Sequence, residues 1–244
     1  MSWIVATRCR EMIPNMDRAV TEDALLGGRV RLLQPERGYR IAVDAVLLAA
    51  AVEAGPVDHV LDLGAGVAAV GLCIAARLPG CRVTGIELQP GLAALAERNA
   101  ALNQVEARVH TRVHDLAAPL PADLAPADVV ATNPPYLPAA VADPSPDPVK
   151  ALATVESSAD LARWLAVATG AAKPAGTLLV IHRSDRLDEI ARRLEGLGWG
   201  DLAVKTLPPA RRVLVRARRA PTPRRRECAP LVLHPPGGGY TEAA

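Results

Sequence analysis

The sequence predicts a doubly wound α/β fold: seven strands in a mostly parallel sheet, helices on both faces, and an antiparallel hairpin at the end. Three observations predict it. From Asp58 onward, short apolar runs alternate with amphipathic stretches of helical length, the pattern of a parallel sheet built with crossover helices. The first apolar run ends in a glycine-rich turn, as a buried strand feeding a helix does. Half of the 244 residues are hydrophobic, yet aromatics are 2% and Phe is absent. The core must therefore come from Ala, Val and Leu, which suits helices packed closely on a sheet.

The elements follow in order. Residues 1–20 read as an irregular tail and 21–55 as a segment preceding the core. HVLDL is the first core strand, and AAVGLCIAARL the helix behind it, stopped at Pro79-Gly80. CRVTGIEL is the second strand; Pro90 suits a first helical turn and opens PGLAALAERNAALN. ARVHTRVHDL and ADVVATN are the third and fourth strands, followed by a Pro-rich loop over 138–148. SSADLARWLAVATGAA is a helix with a Ser/Asp start, TLLVIHR a strand, and SDRLDEIARRLEGLG a helix bounded by Ser/Asp and Gly. DLAVKTL and RRVLVRAR lie close enough for a hairpin that closes the core, 56–220, before a Pro/Arg/Gly-rich tail over 221–244.

Composition excludes several classes. A net charge of +2 is not that of a histone-like polycation, though it permits a local basic patch. Cys9, Cys73, Cys81 and Cys228 form no CxxC pair and have no histidine at metal spacing, so no metal is expected. Ile41–Val52 contains Asp44 and is too short to span a membrane, and the N-terminus has no run of signal-peptide length. A cytoplasmic protein without membrane partners, and a monomer, is expected.

Ligands of doubly wound sheets bind beyond the carboxyl ends of the strands. The first such loop contains Asp62, Gly64, Gly66 and Ala68. Glycines there let the backbone turn tightly and approach a ligand. The loop partly fits a dinucleotide fingerprint, but two carboxylates favour S-adenosylmethionine (SAM). Asp62 lies where it would meet the ammonium of a methionyl group and would repel a pyrophosphate. Asp115 ends the third strand, where it would accept from an adenine amino group. Glu87, ending the second strand, is the expected acceptor for a ribose diol, and Leu88 is expected either to pack on the adenine face or to belong to the ordinary core. Ala68 needs no forbidden geometry provided its φ is negative.

The fourth strand runs into Asn133-Pro134-Pro135-Tyr136. Two prolines fix the backbone and remove two N–H donors. What remains is a set of acceptors, the Asn133 side-chain oxygen and the Pro134 carbonyl. An exocyclic amine conjugated with a ring or carbonyl is a poor nucleophile. Two acceptors holding its hydrogens favour a pyramidal nitrogen with its lone pair aimed at an electrophilic methyl. Tyr136 offers a face for a flat acceptor.

These motifs together resemble class I SAM-dependent methyltransferases acting on planar amines, a Rossmann-like fold. TEDALLGGRVRLLQPERGYRIAVDAVLLAA (21–50) resembles the bacterial tRNA(Val) adenine-N6-methyltransferases, as do SPDP (145–148), PAGTLLVIHRSDRLDEI and VLVRARR. The resemblance covers about residues 21–240. It implies SAM as cofactor, RNA and foremost tRNA as partner, and methylation of the adenosine 3′ of the anticodon. It carries Asp62, Gly64 and Gly66 over as the methionine-end loop, Glu87 as ribose ligand, Asp115 as adenine ligand and Asn133 to Tyr136 as the catalytic loop. Tyr39, Arg40 and Asp44 match a segment that closes over the cofactor, with Asp44 at the methionyl ammonium and Arg40 at its carboxylate or at RNA. Ala68 departs from the motif's third glycine.

Two alternatives are a release-factor-type glutamine amide methyltransferase, which shares NPPY but usually carries a further N-terminal helical domain, and a non-catalytic RNA-binding protein with a relic cofactor fold. An NAD oxidoreductase is the weakest reading. Near the C-terminus, Arg212, Arg216 and Arg218 share one strand face while Val213, Val215 and Ala217 face inward, and Arg224 to Arg226 read as a loop. That basic run is either a phosphate-tracking patch or a solvated edge.

Overall fold

The computed structural model describes residues 12–13, 16–38, 40–138, 151, 155–156, 159–234, 239 and 241. Cys9, Tyr39 and the 145–148 motif lie outside the described residues.

The chain enters through an antiparallel sheet of β1 (Met12–Ile13), β2 (Met16–Leu25) and β3 (Val30–Pro35). Strand β2 begins inside the stretch that the sequence reads as irregular. Its register with β3 runs from Val20↔Pro35 to Leu25↔Val30, which turns Val20, Leu25, Val30 and Leu32 into the core. Helix α1 (Val43–Ala51) follows.

The doubly wound core then takes the predicted order. Strand β4 (His59–Leu63) leads to α2 (Ala69–Arg77), β5 (Arg82–Glu87) to α3 (Pro90–Leu102), and β6 (Val109–Val113) and β7 (Ala127–Thr132) complete this half. A short parallel pair, β8 (Leu137–Pro138) with β9 (Val155–Glu156), stands apart from the main sheet. Helix α4 (Leu161–Ala171) is capped by Asp160, whose Oδ1 accepts from Arg163 N at 2.8 Å. Strand β10 (Ala172–Arg183), α5 (Leu187–Gly196), β11 (Asp201–Leu207) and β12 (Arg212–Arg218) finish the core. The expected Ser/Asp cap of α5 is instead a 3₁₀ turn, Ser184–Arg186, in which Asp185 pairs with Arg183.

With β13 (Arg224–Glu227), the main sheet has eight strands in the order β13-β11-β12-β10-β7-β4-β5-β6, with β12 antiparallel to both β10 and β11. The eighth strand corrects the sequence reading: β13 (Arg224–Glu227) is not a loop but pairs in parallel with β11, Asp201↔Arg224 to Val204↔Glu227. An edge strand with little buried surface has no apolar alternation to betray it. In β12 the alternation is as expected, with Val213, Val215 and Ala217 fully buried.

The core lies on both faces of the sheet. One face packs Leu48, Leu72, Ile74 and Leu95 from α1, α2 and α3, and the N-terminal hairpin joins it. The other packs Leu165, Ile190, Leu194 and Trp199 behind α4 and α5. The hairpin is fastened by two asparagines, Asn99 of helix α3 and Asn103 at its C-cap. Asn99 Oδ1 accepts from Leu33 N (2.7 Å) and its Nδ2 donates to Leu33 O (2.8 Å); Asn103 treats Arg31 the same way. The two amides stand in for a missing neighbour strand. Asn99 Nδ2 also donates to Val67 O (3.0 Å), tying the hairpin to the glycine loop.

Candidate active site

The glycine loop sits at the switch point between β4 and β7. Asp62, near the end of β4, is hydrogen-bonded through its backbone neighbours on both sides of the strand and is only 2% exposed. Its Oδ2 is buried without a hydrogen-bond partner. Burial, with the Glu87 charge nearby, pushes its pKa up to about 7. An orphaned buried carboxylate oxygen of this kind fits an ammonium ligand. Glu87 is pinned differently: Gly66 N donates to Oε2 (2.8 Å) and Gln89 N to Oε1 (2.9 Å). Each oxygen keeps a lone pair for a further donor, which fits a diol. Burial raises its pKa, while those backbone donors oppose the shift.

The backbone alternates through the left-handed region at Gly64 (φ +78°), Gly66 (φ +57°) and Ala68 (φ +65°). Gly64 N and Ala65 N both donate to Ile86 O, at 2.8 and 3.0 Å. The condition set for Ala68, a negative φ, is not met: it takes the third glycine's conformation at a cost of about 1–2 kcal/mol. Its methyl is buried, which returns about 0.8 kcal/mol.

Gly64 has a second constraint that the sequence does not show. A Cβ there would lie 2.6 Å from the Trp164 Cη2 of helix α4. Gly64→Ala therefore combines a left-handed Ala with a clash in a packed core, together roughly 2–5 kcal/mol. We expect a melting temperature lower by several degrees, about 2–4 °C per kcal/mol at this size, and weaker SAM binding. A thermal melt within about a degree of wild type would overturn this account.

The neighbouring Arg163 anchors the loop that carries Asp115. Its guanidinium donates to Leu116 O (2.8 Å), Ala117 O (3.1 Å) and Ala118 O (3.0 Å). Asp115 Oδ1 itself accepts from Ala117 N at 2.9 Å. Leu88 follows β5 directly and is half-buried.

The second loop lies beside the first because Thr132 Oγ1 donates to Leu63 O (2.9 Å), joining the ends of β7 and β4. Pro134 and Pro135 are buried. Tyr136 Oη lies 2.6 Å from Asn133 Oδ1 and 2.6 Å from Asp44 Oδ2. Arg212 Nε donates to the same Asp44 oxygen at 2.9 Å, and its guanidinium carbon lies 4.5 Å from the Tyr136 ring centroid. His182 meets that ring edge-on at 5.1 Å, and its Nε2 lies 3.4 Å from Pro135 O. Burial depresses His182 to about 4, so it is neutral at physiological pH, and burial with the Asp44 charge raises Tyr136, so it keeps its proton.

Two expected cofactor ligands are thus engaged elsewhere. Asp44 joins the Tyr136 hydroxyl and Arg212. Arg40 Nη2 donates to Asp23 Oδ2 (2.8 Å) and Nη1 to Thr21 Oγ1 (2.9 Å) and Pro35 O (3.0 Å), so its guanidinium fastens the hairpin. One face of Tyr136 is likewise taken by Arg212, and His182 makes a T-shaped contact with the same ring. Trp164, Arg163, His182 and Arg212 carry no motif. Only the alternation of β12 hints that Arg212 points away from the core.

The C-terminal arginines are largely paired. Arg216 and Arg218 face Glu53, Arg225 pairs with Asp188 and Glu227, and Arg226 with Asp201. Among the described residues no group of His, Cys, Asp or Glu could hold a metal ion, and no helix is long and apolar enough to cross a membrane.

Comparison with known proteins agrees with this geometry. The methyltransferase small domain matches residues 40–145. The chain is 36% identical over 169 residues to a release factor glutamine methyltransferase of Deinococcus radiodurans, covering 66% of this chain and 58% of that one. It is 30% identical over 218 residues to a tRNA1(Val) (adenine(37)-N6)-methyltransferase of Porphyromonas gingivalis, covering 83% and 84%. A predicted O-methyltransferase from Agrobacterium tumefaciens superposes with a TM-score of 0.63 at 26% identity, over 82% of this chain and 92% of that one. With the switch-point glycine loop, the orphaned Asp62 and the NPPY turn, these matches identify an enzyme that uses SAM, and the chain belongs to the small-domain methyltransferase family that includes the tRNA1(Val) adenine-N6-methyltransferases.

Proposed function

We propose that this protein transfers a methyl group from SAM to the exocyclic N6 amine of an adenine in RNA, with tRNA as the substrate. The observation that carries the reading is the Asn133-Pro134-Pro135-Tyr136 turn held against the glycine loop by Thr132. Its acceptors, Asn133 Oδ1 and the Pro134 carbonyl, suit the two hydrogens of a planar amine. The match over 84% of the Porphyromonas tRNA methyltransferase supports adenine as the amine.

In this reading Asp62 takes the methionyl ammonium, Glu87 the ribose diol and Asp115 the adenine amino group. Leu88 packs on the adenine, and Gly64 and Gly66 let the backbone come close. When bound, SAM supplies an electrophilic methyl on a sulfonium. The protein's share is orientation: Asn133 and Pro134 hold the amine hydrogens so that the nitrogen lone pair faces that methyl, and the surplus proton leaves to water after transfer. The exposed arginine pairs near β12 and β13 are each worth at most about 1 kcal/mol and exchange readily for phosphate contacts, so the run remains available to RNA.

The 36% identity to the Deinococcus enzyme supports a second reading, a glutamine side-chain amide in a release factor. Both acceptors are flat conjugated amines, and one experiment separates them. Purified protein is incubated with labelled SAM and either unmodified tRNA or release factor. Nucleoside and peptide mass spectrometry should then find N6-methyladenosine in the tRNA; methylated glutamine without it would put the second reading first.

A further inference from the structure

The Tyr136 hydroxyl has one proton and two acceptors at equal distance, Asp44 Oδ2 and Asn133 Oδ1, each 2.6 Å away. A phenol cannot donate to both. Asp44 is a carboxylate and accepts only. It is 4% exposed and already receives Arg212 Nε at 2.9 Å, which fixes it in place. A charged acceptor takes a proton in preference to a neutral amide oxygen at the same distance. The phenol proton therefore points at Asp44, and Tyr136 Oη turns a lone pair toward Asn133. Only the amide nitrogen of Asn133 can satisfy that lone pair.

We propose that Arg212, Asp44 and Tyr136 form a one-way hydrogen-bond relay that fixes the orientation of the Asn133 amide: the amide is turned end for end from the arrangement in which Oδ1 lies 2.6 Å from Tyr136 Oη, so that Nδ2 donates to Tyr136 Oη and Oδ1 is presented to the acceptor amine. The inference rests on the methyl-transfer reading above and assigns Asp44 to the acceptor side of the site, not the cofactor side. Asp44 and Arg212 are positioning residues: they act through Tyr136. The relay explains why a carboxylate from α1 and a guanidinium from β12, 168 residues apart in sequence, meet at a tyrosine hydroxyl. It also changes what is expected of Tyr136. As a stacking face alone it would tolerate loss of its hydroxyl; as the relay's central link it does not.

Asp44→Asn tests the polarity with nearly unchanged shape. Its oxygen turns to Arg212, its amide nitrogen donates to Tyr136, and Tyr136 then donates to Asn133 Oδ1, so the amine meets the wrong end of the amide. The kcat should fall roughly tenfold or more, with Kd for SAM within about twofold of wild type. Tyr136→Phe should lower kcat by a similar factor. Added to Tyr136→Phe, the Asp44→Asn change should cost nothing further in kcat, because its effect passes through the hydroxyl. The Asn133 side-chain NH₂ resonances in the ¹⁵N-labelled protein, assigned by their loss in Asn133→Ala, should shift in both single variants. This arm needs no turnover and reads the relay even if neither tRNA nor release factor is a substrate, in which case the functional reading fails and the relay is judged by the spectra alone. Tyr136→Phe preserves the buried ring and keeps the test in hand should Asp44→Asn fail to fold. An Asn133 signal unmoved by Tyr136→Phe would overturn the relay. So would an Asp44→Asn loss that appears in the SAM Kd, or one that persists undiminished in the double variant.

Discussion

Asn133→Ala should lower kcat for methyl transfer by about a hundredfold to a thousandfold, the usual cost of deleting one group that hydrogen-bonds the transition state. The affinity for SAM should stay within about twofold of wild type. The argument is chemical. The amine's lone pair is delocalised into its ring or carbonyl, and reaction requires that it leave that plane. Asn133 Oδ1 and the Pro134 carbonyl favour the pyramidal nitrogen by holding its hydrogens, and they gain strength as the nitrogen acquires positive charge. Removing Asn133 leaves Pro134 alone, without the two-point grip. The proline backbone and the buried Pro134–Pro135 pair remain, so the loop should keep its shape. Single-turnover rates at saturating SAM and tRNA measure the effect, and titration calorimetry measures the binding. A variant that keeps its turnover but loses SAM would move Asn133 out of the acceptor site.

SAM should bind more weakly as pH falls below about 7, by close to tenfold per pH unit, and become independent of pH above it. The cause is Asp62. Burial and the Glu87 charge hold its free-state pKa at about 7, far above an ordinary aspartate. An ammonium against Oδ2 favours the charged form, so binding expels a proton wherever Asp62 begins protonated. Asp62→Asn should flatten most of the slope and lower affinity at pH 8 by at least about tenfold, or 1.4 kcal/mol.

The same group bears on stability with the opposite sign. A carboxylate whose folded pKa is raised stabilises the fold fully below its unfolded pKa of about 4, and that contribution is lost as pH rises through about 7. His182 acts against it. Its folded pKa of about 4 lies below the unfolded value, so its contribution grows with pH between about 4 and 6.5. The two nearly offset in a melting experiment, which makes SAM affinity, compared between wild type and Asp62→Asn, the cleaner measurement. A pH-independent Kd between about 5.5 and 8 would show that Asp62 is not the ammonium's partner.

By itself the sequence determined the alternating strands and helices, the glycine loop, the NPPY turn and the closing hairpin. Each is a local signal: apolar runs report strands buried on both faces, and Gly or Pro at a turn reports a backbone that few other residues adopt. The burial of Glu87 and Asp62 beside the glycine loop was legible for the same reason, because both close apolar strands that run into that loop. Tertiary structure alone decided which distant side chains converge. Gly64 must be glycine partly because Trp164 of α4 stands over it, and nothing near residue 64 announces a tryptophan a hundred positions later. Asn99 looks like an ordinary helical polar residue until β3 presents an unpaired edge to it. Ala68 takes a left-handed φ that its composition does not advertise, because the loop's hydrogen bonds to Ile86 and Glu87 fix the path on either side. Strand β13 has no apolar period because it is an edge with little to bury. Asp44 shows the limit most clearly. The sequence places a carboxylate before the core, but only the packing of α1 against β10 and β7, with β12 on the other side of β10, brings it to Tyr136 and Arg212. Periodicity encodes which face of an element is buried; the partner it meets there is set by how the elements stack.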